Sequence, residues 1–162
     1  MRGFQRTNGL VLALAVAFLA AVGSARAADT DKQTAQAALD QFQSALNILF
    51  TGDAAPMKAI WSHADDATYM GPAGGLQIGW SQIEPYWDKQ AGRKLGGKVV
   101  ADGVHLVTSG DLAVARYYEK GENVIDGKPQ PVSIRTSTVL RRENGQWKVI
   151  HHQTDALAYL QK

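Results

Sequence analysis

At Gly96 the hydrophobic period of the chain changes from between three and four residues to two, and that change sets the kind of fold it can make. Upstream, Ala35, Ala38, Leu39, Phe42, Ala45, Leu46 and Leu49 form one apolar stripe, which predicts a helix from Asp31 to Phe50. Asp53 can cap a second, short helix carrying Met57, Ile60 and Trp61. Thr68-Tyr69-Met70 and Leu76-Gln77-Ile78 read as short strands around a Gly-Pro turn. Ser81, with Glu84 three positions on, reads as the capping box of a third helix bearing Ile83, Tyr86, Trp87 and Gln90. Downstream of Gly96, strands are predicted over Lys98–Val107, Leu112–Lys120, Val132–Arg142 and Trp147–Thr154. Their connections are short and rich in Gly, Asp and Asn, so these strands are antiparallel neighbours. Helices first and strands last define an α+β fold: three N-terminal helices packed on one face of a curved, mainly antiparallel sheet.

The first residues carry a different message. Arg2 and Arg6 precede an unbroken apolar run from Leu10 to Val22, and small residues stand at Ala25 and Ala27. A basic start, a compact apolar stretch and an A-x-A site predict a removable secretory leader over residues 1–27 and one domain over 28–162. The run is short of the ~20 residues that span a bilayer, so no membrane attachment is expected after cleavage, and the location would be periplasmic or secreted. The whole chain has 17 Lys+Arg and 15 Asp+Glu. Loss of Arg2, Arg6 and Arg26 leaves 14 bases against 15 acids, so the basic field that nucleic acid requires is not expected. There is no cysteine, which excludes disulfides and thiolate chemistry.

Strand alternation assigns side chains to faces. Ile134, Thr136, Thr138 and Leu140 form one set of the third long strand, and Trp147, Val149, His151 and Gln153 one set of the last. Apolar at the ends and neutral-polar in the middle, these sets have the composition of a small-molecule pocket. His151 is the candidate acid or base, since imidazole exchanges protons near neutrality. Tyr69, Trp80, Trp87, Tyr117, Thr136, Thr138 and Gln153 are candidate ligand contacts; the aromatic ones serve equally as core. His152, adjacent on the strand, is placed on the opposite face, and His63 and His105 lie elsewhere, so neither a metal site nor a cofactor is expected. Glu84 and Asp88 read as a solvated helix face, and the basic Arg93–Lys98 loop lacks phosphate-loop spacing.

The final segment, Val139-Leu140-Arg141-Arg142-Glu143-Asn144-Gly145-Gln146-Trp147-Lys148-Val149-Ile150-His151-His152-Gln153, resembles the closing hairpin of SnoaL-like proteins, and the Tyr69–Ile83 stretch is similar to the middle section of that group. The resemblance implies the NTF2-like (cystatin-like) cone, a curved sheet wrapped on a long helix, with homodimerisation through the sheet. It also implies a cavity-facing His-x-His pair, here matched by His151 and Gln153. The aspartate base and Tyr/Asp oxyanion hole of the related ketosteroid isomerases have no counterpart in the early strand or the first helix. Three functions follow as expectations. The first is a binder of a small, largely apolar molecule. The second is a cofactor-independent isomerase, hydratase or cyclase using His151, and the third a dimeric association module.

Overall fold

A computed structural model describes the backbone of residues 8–161 and the side chains of residues 29–161. The side chains of the predicted leader, residues 1–27, lie outside the described residues. Helix α1 runs from Asn8 to Leu49, α2 from Ala55 to Ile60 and α3 from Trp80 to Gly92. Six strands follow the expected plan: β1 (Thr68–Met70), β2 (Gln77–Ile78), β3 (Lys98–Ser109), β4 (Leu112–Ile125), β5 (Lys128–Glu143) and β6 (Gln146–Thr154). They form one sheet in the order β2-β1-β6-β5-β4-β3, antiparallel except where β1 lies parallel to β6. Among the described residues no helix is long and apolar enough to cross a membrane.

Local chemistry explains the outline. The hairpin tips Asp126-Gly127 and Asn144-Gly145 both take positive φ, the two-residue turn that matches strand twist, and this lets β4 and β5 run longer than their apolar pattern. Asp53 accepts a hydrogen bond from the Ala55 N–H at 2.8 Å, tying down the entry to α2. At α3 the expectation fails. Gly79, with φ of 77°, occupies the cap position where a Cβ would lie 3.2 Å from the Asp65 carbonyl oxygen, and Ser81 is the second residue of the helix.

The sheet curls around α1, burying Leu39, Phe42, Trp61, Trp87, Leu140 and Val149 in the main core. A second cluster at the wide end contains Phe50, Leu95, Val99, Val132, Ile134 and Leu160. Three polar ties set the helix in the curl. Asn47 pairs with both the N–H and the C=O of Val99 at 2.9 Å, Trp147 Nε1 donates to Thr34 Oγ1 at 2.9 Å, and Arg142 pairs with Asp31. On the outer face of β5, Arg135 is held by Asp155, and Arg141 by Asp66 with Glu143.

Candidate functional site

The cone closes on an apolar cavity between α1, α3 and the concave sheet. Phe42, Leu46, Leu95, Val99, Val132 and Ile134 supply walls, and Tyr69, Trp87, Gln90, Asn123, Glu119 and His152 the polar or aromatic surface. The cavity has a volume of about 40 Å³. The last residues form its cover. Leu157 donates its backbone N–H to Pro72 O at 2.9 Å, the Tyr159 hydroxyl donates to Asn123 Oδ1 at 3.1 Å, and Leu160 is buried against the second cluster.

The histidine facing this space is His152, not His151. Leu140 pairs with Val149 but Val139 pairs with His151, so Ile150 is an extra residue in β6. A bulge of this kind reverses the alternation beyond it. Its cause is a change of neighbour: on the side away from β5, Val149 bridges Trp61, whereas His151 to Gln153 pair in parallel with β1. His152 is therefore 3% exposed, its ring between Phe42 at 4.9 Å and Tyr69 at 5.8 Å. His151 is half-buried on the other face, with Nδ1 2.7 Å from Thr68 Oγ1; burial lowers its pKa, opposed by a hydrogen bond with Gln153. Gln153 itself is exposed, so the pair matched by resemblance does not face the cavity.

The other candidates divide. Tyr69 and Trp87 line the cavity, in edge contact at 4.6 Å. Trp80 does not; it stacks on His63 at 3.9 Å outside it. Thr136, Thr138 and Tyr117 are buried, but none of the three lines the cavity. Thr136 Oγ1 has no hydrogen-bond partner. Thr138 and Tyr117 lie behind the cavity wall and join a ring of polar contacts. Gln43 Nε2 donates to Tyr117 Oη at 2.9 Å and to Glu119 Oε1 at 3.4 Å. Tyr117 Oη lies 2.9 Å from Thr138 Oγ1, which lies 3.0 Å from His152 Nδ1. His152 Nε2, 3.8 Å from Glu119 Oε1, closes it.

Glu119 is the functional group that sequence reasoning missed. It follows Tyr117 by two positions on β4 and so shares its inward face. Burial raises its carboxyl pKa to about 7, partly offset by the Gln43 hydrogen bond. Burial pushes His152 down to about 3, helped by the neighbouring His151. The 3.8 Å spacing is that of an ion pair, yet desolvation opposes charge on both groups. Near neutrality the pair is thus a titrating carboxyl beside a neutral imidazole. Burial also raises the pKa of Tyr69 and Tyr117, so both phenols stay protonated. Among the described residues no cluster of His, Asp or Glu could hold a metal ion.

A long helix held in a single curled sheet, with an apolar hollow and a few converging polar groups at its centre, defines a small cone-fold domain with an internal cavity. The chain belongs to the SnoaL-like domain family, whose model matches residues 36–158. Solved structures agree on the fold. A candidate dehydratase of the NTF2-like family from Streptomyces avermitilis is 19% identical with a TM-score of 0.70, covering 80% of this chain and 97% of its own. A candidate calcium/calmodulin-dependent protein kinase type II association domain from Thiobacillus denitrificans is 24% identical with a TM-score of 0.64, covering 76% and 95%. An NTF2-like protein with a cystatin-like fold from Novosphingobium aromaticivorans is 15% identical with a TM-score of 0.63, covering 96% and 93%. No curated protein matches the chain in sequence.

Proposed function

We propose that the cone binds a small, largely apolar molecule carrying an oxygen acceptor and moves a proton on it without a cofactor, as an isomerase or dehydratase does. The observation that carries this reading is the convergence of Glu119 and His152 on one apolar cavity. A carboxyl titrating near pH 7 is matched to abstract a proton at neutrality. A neutral imidazole beside it can donate a hydrogen bond to a carbonyl oxygen without carrying charge. Trp87 Nε1 and Gln90 Nε2, on residues lining the same cavity, are buried without partners, so an oxygen on the ligand would satisfy donors that are now unpaired. The role first assigned to His151 passes to His152, with Glu119 as the base. The likeness to a candidate dehydratase adds only a shared fold.

The test is exchange of α-protons of small cyclic ketones with deuterium in D2O, followed by proton NMR. The expected result is catalysed exchange that rises through about pH 7 and is lost in Glu119→Gln. Exchange no faster than buffer, or unchanged in that variant, would remove the catalytic role. Chemical-shift changes in cavity residues with ketone would then leave the binding role alone.

A second reading concerns association. Val100, Val107, Leu112 and Tyr118 are 43–50% exposed on the convex side of the sheet, which supports a homodimer formed through that face. Sedimentation of Tyr118→Glu as a monomer, against a wild-type dimer, is the expected result. We also infer export with cleavage near Ala27. It is supported by the basic start, the apolar run and the small residues at Ala25 and Ala27. Mass spectrometry of the protein isolated from its native host checks the cleavage.

A further inference from the structure

The polar ring behind the cavity fixes more than the position of His152; it fixes which nitrogen carries the proton. The Gln43 amide presents N–H to both Tyr117 and Glu119. Tyr117 Oη is thereby an acceptor, and its own proton has one partner in reach, Thr138 Oγ1 at 2.9 Å. Thr138 in turn must spend its proton on His152 Nδ1 at 3.0 Å. Nδ1 is left an acceptor, so the neutral imidazole carries its hydrogen on Nε2, facing Glu119 and the cavity. This sense of the ring suits an ionised Glu119, which accepts from Gln43 and has the positive end of the Nε2–H dipole 3.8 Å away.

A protonated Glu119 suits the opposite sense. Its O–H needs an acceptor, and Nε2–H cannot serve. Gln43 can: its Oε1 is buried without a partner, so turning the amide by 180° breaks no other bond and brings an acceptor to both Glu119 and Tyr117. Tyr117 then donates to Gln43, Thr138 to Tyr117, and His152 Nδ1–H to Thr138, leaving Nε2 a bare base. The imidazole holds one proton in both arrangements. The single proton gained by Glu119 changes only which nitrogen bears it.

We propose that Gln43 is a positioning residue whose amide orientation, relayed through Tyr117 and Thr138, couples the charge on Glu119 to the tautomer of His152. On the reading given under Proposed function, on which the functional meaning of this coupling rests, His152 then offers an acid at Nε2 when Glu119 is the base, and a base there when Glu119 holds the proton. The other titratable groups facing this pair are Tyr117 from β4 and Tyr69 from β1, both kept neutral by burial. From β6, His151 acts on His152 through space, and Arg93 at the end of α3 acts on Tyr69 and Tyr86. Among its described residues, helix α1 contributes the neutral Gln43.

Nitrogen-15 NMR of the imidazole in the full chain, across the titration of Glu119, tests this without any substrate. The expected result is an Nε2–H tautomer with Glu119 ionised that gives way to Nδ1–H as Glu119 takes up its proton. Thr138→Val, close in shape, and Gln43→Leu should each leave His152 tautomer populations unlinked from the Glu119 titration. A wild-type tautomer that stays constant overturns the proposal. So does linkage that persists in both variants, because the coupling would then run directly across the 3.8 Å contact. Failure of the relay alone leaves ketone exchange by Glu119 intact, whereas failure of exchange with the tautomer switch present removes the catalytic reading and keeps the ring.

Discussion

Replacing Glu119 with glutamine keeps the shape of a buried side chain and removes one titration, so the cost of hiding that carboxyl becomes measurable as stability against pH. Glu119 is 4% exposed and titrates near 7 in the fold, against an ordinary 4.5. The folded state binds this proton more tightly than the unfolded chain does. Its contribution is therefore whole below about pH 4.5 and is lost as pH rises through 7. At ~1.4 kcal/mol for each tenfold change in proton affinity, the loss is roughly 3 kcal/mol. His152 works in the opposite direction. Its folded pKa of about 3 lies below an ordinary 6.5, so its contribution is whole above pH 6.5 and disappears as pH falls toward 3. Between pH 4.5 and 6.5 the two slopes oppose, and the pair holds its own contribution nearly flat. Glu119→Gln exposes the His152 slope alone. Asp66 and Asp155, held low by Arg141 and Arg135, add acid sensitivity to both proteins alike and drop out of the difference. Urea unfolding at pH 4.5, 5.5, 6.5 and 7.5 should show the variant gaining roughly 3 kcal/mol on the wild type across that range. A difference that does not move with pH would refute the reasoning, because Glu119 would then titrate alike in both states.

Three further perturbations separate the parts of the site. Gly71→Ala places a Cβ 1.8 Å from the Tyr69 hydroxyl, so the phenol must leave its seat against Trp87 and His152; a loss of ~1–3 kcal/mol is expected in urea unfolding, with altered Trp87 fluorescence. Leu160→Ala removes an apolar piece of the cavity cover, and should cost ~2–3 kcal/mol while speeding uptake of an apolar fluorophore in stopped-flow mixing. His151→Ala should leave ketone exchange and its pH profile unchanged, whereas His152→Phe should abolish exchange with the fold intact by circular dichroism, since only His152 faces the cavity.

The order of elements was legible because burial on one face forces a period, and the change at Gly96 is sharp. The inward face of β5 was legible for the same reason: Ile134, Thr136, Thr138 and Leu140 are all buried, but of the four only Ile134 lines the cavity. Beyond Val149 the same rule gave the wrong histidine. The bulge at Ile150 carries no Gly or Pro to announce it; it arises where the neighbour of β6 changes from Trp61 to β1, a tertiary event. Glu119 could have been found from its phase with Tyr117, but a Glu on a strand of alternating charges reads as surface until the curl of the sheet is known. The role of Gln43 was outside reach of any local pattern, since its partners lie 74 and 76 residues away.

The proposed chemistry needs a carboxyl that titrates near neutrality inside the cone. Carbon-13 NMR of the Glu119 side-chain carboxyl, followed from pH 4 to 9 in the wild-type protein, measures that quantity directly. A midpoint near 7 is the predicted result. A midpoint near the ordinary 4.5 would contradict the account, since Glu119 would then be a solvated charge and no base poised for neutral pH.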